Sequence, residues 1–117
     1  MRSWSQFWSQ FVCVRTRPPG ARTRAITNGA ADVLARSLAL ELAPLRVNAI
    51  SPGVVDTGAW DALGEQAKAD YFADMSARNP AGRIGTTDDV ATGVLFAMTN
   101  TFLTGQTLHI DGGEPPT

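Results

Sequence analysis

Side chains able to move protons or attack a substrate are few in this chain. It holds one tyrosine, Tyr71, one lysine, Lys68, one histidine, His109, and one cysteine, Cys13. The cysteine reads as a small incidental thiol, because only His109 is available to activate it as a nucleophile. His109 alternates with Thr107 along a strand, and Leu108 and Ile110 take the opposite face. With no cluster of further ligands around it, it reads as structural rather than as a metal ligand. Asp88 and Asp89 open a helix, where the helix dipole favours negative charge. Asp61, Glu65 and Asp70 read as a solvated face. Neither a metal site nor a catalytic residue is assigned. What stands out instead is a turn, Pro52-Gly53, at the end of a short apolar run, which by pattern alone reads as an ordinary Pro-Gly turn.

Such a turn needs elements to hold it, and the composition bounds what these are. Over 117 residues the chain is 44% hydrophobic and 18% charged, the mix of a globular chain and one domain or part of one. Its net charge of -1 gives no global field toward nucleic acid or a membrane surface. No apolar run is long enough to span a bilayer. A single cysteine excludes an intrachain disulfide and makes a reducing, cytoplasmic setting the expectation. The charge is uneven. Residues 1–24 carry five arginines and no acid, whereas all eleven acids lie further on.

Residues 1–24 read as an irregular or unrelated N-terminal segment, broken at Pro18-Pro19-Gly20. Its aromatics Trp4, Phe7, Trp8 and Phe11 have the spacing of a helix face. The arginine-rich, acid-free composition also has the look of a mitochondrial transit segment. From residue 25 to 117 the pattern becomes regular. Thr27 or Asn28 is the expected cap of a helix reaching Leu42. Its stripe of Val33, Leu34, Leu38, Leu40 and Leu42 is wide enough to be buried on two sides, against a sheet and a partner subunit. Arg46–Ser51 reads as a strand. A helix is expected from Glu65 to about Ala77, another capped by Thr86, and a last strand from Gln106 to Ile110. Strands separated by helices predict a parallel α/β sheet. Two strands alone leave unpaired edges. The expectation is therefore a piece of an α/β domain, or a chain that completes its sheet with a partner.

Three blocks carry a resemblance. ARSLALELAPLRVNAISPG (35–53), NPAGRIGTTDDVATGVLFAM (79–98) and FLTGQTLHIDGG (102–113) together resemble the short-chain dehydrogenase/reductase family, in its order and spacing. The resemblance covers residues 25–113 and implies a partial Rossmann-like fragment, the C-terminal half of a doubly wound parallel sheet. It implies NAD or NADP as cofactor, a small-molecule carbonyl or alcohol substrate, and a possible homo-oligomer through the 27–42 helix and the last strand. Pro52 and Gly53 then fix the cofactor loop, the Val55 backbone meets the nicotinamide carboxamide, and the Thr57 hydroxyl reaches the carboxamide or pyrophosphate. Trp60 stands where the family's mobile substrate loop begins, lining a pocket or packing the lid.

The family's Tyr-x-x-x-Lys pair falls here on Arg24 and Asn28. Arginine stays protonated and cannot shuttle a proton. Asparagine has no charge to lower a neighbour's pKa, though it can still bond a ribose hydroxyl. Tyr71 follows Lys68, the reverse of the required order. The family's G-x-x-x-G-x-G spacing is absent from the sequence, and Ser3, Ser5 and Ser9 have no matching context. The expectation is an NAD(P)-dependent oxidoreductase lineage, truncated or divergent and inactive or incomplete as this chain. The rivals are a non-catalytic oligomerisation or interaction fragment, and a gene fragment without independent function.

Overall fold

A computed structural model describes residues 9–13 and 21–114, with side chains from residue 29 onward. The elements run β1 (Ser9–Cys13), α1 (Ala21–Glu41), β2 (Arg46–Pro52), a 3₁₀ turn (Gly58–Leu63), α2 (Glu65–Arg78), α3 (Thr87–Thr99) and β3 (Thr107–Ile110). The three strands form one parallel sheet in the order β1-β2-β3. Ser9 lies opposite Arg46 and Cys13 opposite Ile50, while Ala49 lies opposite Thr107 and Pro52 opposite Ile110.

β1 corrects the reading of the N-terminal segment. Ser9–Cys13, expected on a helix face or in irregular chain, is a strand, built of β-favouring Phe11 and Val12 and fixed by distant pairing to β2. Trp4, Phe7 and Trp8 lie outside the described residues. The boundary expected at residue 24 falls inside α1, which already begins at Ala21. Thr27 and Asn28 are therefore interior helix residues and not caps. The alanines and arginines ahead of them are good helix formers, and the helix starts directly after Pro18-Pro19-Gly20 in the sequence.

β2 is the centre of the molecule. Val47 and Ala49 are 1% exposed, Ile50 4%, and Asn48 is fully buried. Burying a valine of this kind contributes about 1.5–3 kcal/mol. Strand alternation puts Arg46, Asn48 and Ile50 on one face and Val47 and Ala49 on the other. The first face belongs to α3. The Arg46 guanidinium bonds the carbonyls at the end of that helix, and Ile110 packs where a Cβ on Gly93 would stand. α1 covers the second face.

The contact face of α1 differs from the one its leucines suggested. Ala35 is 1% exposed, whereas Val33 is 66% and Leu40 84% exposed. The reason is distance. Alanines let the helix lie close to the sheet, and a Cβ at Gly105 would stand 3.4 Å from that of Ala39. The larger side chains Val33, Leu34 and Leu40 turn outward. On α3, Leu95, Phe96 and Met98 are exposed as well.

α3 begins as its sequence predicts. Thr86 Oγ1 accepts from the Asp89 N–H at 3.2 Å, and the Asp89 carboxylate accepts from the Thr86 N–H at 2.7 Å, closing a capping box. Arg83 adds a two-pronged ion pair to Asp89, at 2.7 and 2.9 Å. Among the described residues no helix is long and apolar enough to cross a membrane.

Candidate functional site

The turn that ends β2 is the place where the sheet, the insertion and the last strand meet. Pro52 closes the strand, and the Gly53 N–H donates to Ile110 O at 3.0 Å. Gly53 is needed there. A Cβ on it would lie 2.8 Å from both Cα and Cβ of Asp111. The missing side chain makes room for the chain's own turn after β3.

Beyond Gly53 the chain makes one more parallel contact, between Val55 and Gly85. The Gly85 N–H donates to Val54 O at 2.8 Å, and the Asp56 N–H donates to Gly85 O at 3.0 Å. In an extended chain the N–H and C=O of one residue share an edge, and its neighbours use the opposite edge. With Val54 and Asp56 engaged by Gly85, Val55's own N–H and C=O point the other way. That edge offers one donor and one acceptor side by side, the complement of a primary carboxamide. The carbonyl accepts from Trp60 Nε1 at 2.8 Å.

Thr57 stands two residues on. Its Oγ1 is buried and has no hydrogen-bond partner in the structure. An unmade bond at a buried hydroxyl costs about 1–3 kcal/mol, so such an atom points to a missing partner. This is the observation that fits a polar ligand beside Val55. Asn28 lies within α1, and its side chain falls outside the described ones. The structure therefore brings Pro52, Gly53, Val55 and Thr57 together along one short loop.

The insertion that follows, termed the lid below, folds back on this loop through Trp60. Trp60, on the 3₁₀ turn, packs on Tyr71 and Phe72 of α2, with ring centroids 5.0 and 6.0 Å away. Lys68 sits 5.4 Å over the Phe72 ring and pairs with Asp56 at 3.0 Å and Asp61 at 2.8 Å. Hydrogen bonds to Asp61 and then Asp56 hold its ammonium above the ordinary lysine pKa. No residue of the 3₁₀ turn or of α2 is fully buried. Tyr71, the only tyrosine, thus belongs to the lid and is not at the start of α1.

A cleft of about 230 Å³ opens beside the turn, lined by Val54, Asn79, Arg83, Asp89, His109 and Asp111 among others. It includes neither Val55 nor Thr57. Two of its charges are paired with each other, Arg83 with Asp89, whose carboxyl is held far below the usual range first by that guanidinium and then by Thr86. His109 is exposed on β3, and among the described residues no group of His, Cys, Asp and Glu could hold a metal ion.

Two positions escaped the sequence reading. Arg46 donates to four carbonyls, Ala97, Asn100 and Leu103 through Nη1 and Met98 through Nη2, at 2.8–3.0 Å. Asn79, 8% exposed, donates to Asp111 O at 2.9 Å and accepts from the Ala81 N–H, locking the lid's end to the turn after β3. The asparagine before a proline was visible as a loop signal, but its distant partner was not.

Comparison with known proteins identifies the family and the fold. Residues 10–114 match the family model described as enoyl-(acyl carrier protein) reductase. The short-chain reductase protein NovJ of Streptomyces niveus is 42% identical over 113 residues, 90% of this chain and 43% of NovJ. A small-chain dehydrogenase crystallised in complex with NADPH superposes with a TM-score of 0.79 at 32% identity, over 91% of this chain and 50% of that one. An NADPH-bound short-chain oxidoreductase of Pseudomonas aeruginosa PAO1, containing an atypical catalytic center, superposes at 0.66 with 30% identity, covering 80% of this chain and 38% of that one. The chain belongs to the short-chain dehydrogenase/reductase family, and its α/β structure is a partial Rossmann fold. It spans less than half the length of the NovJ relative that it matches.

Proposed function

We propose that this chain forms the nicotinamide-side part of an NAD(P)-dependent oxidoreductase acting on a small carbonyl or alcohol substrate, and that it performs no hydride transfer by itself. The observation that carries the reading is the loop after β2: an edge of Val55 that offers a carboxamide's complement, beside a buried Thr57 hydroxyl without a partner. In this reading Pro52 and Gly53 shape the turn, Val55 holds the carboxamide, Thr57 supplies a further hydrogen bond, and Asn28 reaches a ribose hydroxyl. When bound, a nicotinamide supplies or takes up the hydride. The residues here bind and orient it. Arg24 and Asn28 stand where the family has its Tyr and Lys, so no residue of this chain donates the proton to a carbonyl. Loss of a placed acid/base costs ~10²–10⁴-fold in rate. The proposal includes a cytoplasmic setting, which rests on the lone cysteine.

The test is calorimetric titration with NADPH and NADH. Saturable binding of either, weakened in Thr57→Val, is the expected result. No binding of either at millimolar concentration removes the reading.

A second reading has its own support. Val33, Leu34 and Leu40 on α1 and Leu95, Phe96 and Met98 on α3 are exposed, and apolar surface of this kind suits an interface. In that reading the chain is an oligomerisation module, and sedimentation as a folded monomer at all concentrations counts against it.

A further inference from the structure

The Val55 carbonyl is the acceptor that a carboxamide would use, and the Trp60 indole N–H already donates to it at 2.8 Å. We infer that Trp60 is a latch: its indole competes with the nicotinamide carboxamide for Val55 O, so that cofactor arrival releases the lid. The inference rests on the proposed cofactor role of Val55 and adds the regulation of that site.

Three observations carry it. First, geometry puts both claimants on one edge. Gly85 engages Val54 and Asp56, so the Val55 N–H and C=O face away from Gly85 together. A carbonyl has two lone pairs and can in principle accept twice. A carboxamide that also reaches the Val55 N–H, however, must lie along this edge, where the bicyclic indole already stands. Second, Trp60 is not a lone side chain. It packs on Tyr71 and Phe72, so its displacement moves the aromatic trio and with it α2. Third, the rest of the lid's hold on the loop is weak. One tether from α2 is the Lys68–Asp56 pair at 3.0 Å, with Asp56 in solvent, and a pair near the surface contributes little. No residue of the lid helix or of the 3₁₀ turn is fully buried, so little packing opposes its movement.

The test is Trp60→Phe, which keeps an aromatic ring against Tyr71 and Phe72 and removes the donor. NADPH and NADH are titrated into the parent chain and the variant. Removing one competing hydrogen bond predicts affinity tighter by roughly three- to ten-fold. Unchanged or weaker binding by the folded variant overturns the latch and leaves the cofactor reading standing. Failure of both proteins to bind either nucleotide overturns the cofactor reading and the latch with it. Should the variant not fold, hydrogen exchange on the parent chain still decides. Saturating nucleotide is expected to speed amide exchange across Gly58–Arg78, by displacing the indole. Slower or unchanged exchange there overturns the latch.

Discussion

The strand β2 and the lid that follows it are held in opposite ways. β2 is fixed by many buried bonds. Asn48 donates to Leu103 O and accepts from the Gln106 N–H, at 3.0 and 3.2 Å. The Gly105 N–H donates to Val47 O at 2.6 Å, and the Val47 N–H to Thr104 Oγ1 at 3.1 Å. The lid, by contrast, rests on three rings packed at tilted and edge-on angles and a few surface ion pairs. A ligand that touches Val55 and Thr57 therefore binds at a seam between a rigid floor and a light cover. Rigid floors give orientation, and elements of low local stability are the ones that move.

Five substitutions break or sharpen this contrast. The largest effect is expected from Arg46→Met. It strips four carbonyls at and just beyond the end of α3 of their common donor, and each buried acceptor left unmade costs about 1–3 kcal/mol. Urea unfolding measures it, and a loss under about 1 kcal/mol would mean that the floor does not depend on this anchor. Gly53→Ala comes next. Its Cβ meets the backbone of Asp111, and overpacking of this sort costs about 1–3 kcal/mol. The same unfolding assay reads it, and a neutral result would show that the turn after β3 yields freely.

Thr86→Ala removes the side-chain half of the capping box, for about 1 kcal/mol by thermal melt. The partner carboxylate adds a pH signature. Asp89 is held below the ordinary carboxylate pKa in the folded state. Its contribution is therefore complete above the unfolded value and drains away as pH falls below about 4 toward the depressed folded one. Asp89→Asn should flatten the acid limb of a melting-temperature profile between about pH 2 and 4, and an unchanged limb would refute that assignment. The smallest effect belongs to Lys68→Met. Global unfolding should barely change, while proteolysis within the lid should quicken. A large global loss would mean that the lid is part of the core.

Much of this was readable from the chain. Arg46–Ser51, the Thr86 cap and the helix beginning at Glu65 stand where local pattern puts them, because strand alternation, cap chemistry and helix period are written in neighbouring residues. β1 was not readable. Its five residues lie in an arginine-rich stretch whose aromatics repeat at helical spacing, and only pairing to Arg46–Ile50, far along the chain, makes them a strand. The inner face of α1 misled for a related reason. Hydrophobicity favours its leucines and Val33, but close approach to the sheet selects Ala35. At the site, Val55 and Thr57 came from resemblance, and their geometry came from Gly85, thirty residues away in the chain. The indole bond of Trp60 had no sequence signature, since it joins a side chain to a main-chain oxygen.

The lone bridge between Val55 and Gly85 has a consequence for how this protein can vary. It stitches together the two ends of everything from Asp56 to Ile84, like a drawstring at the neck of a pouch. Whatever the pouch contains, the neck stays the same width. Residues added or lost near Gly64 would thus reshape the insertion while the sheet beneath kept its register, which lets this part of the chain change length without touching the foundation.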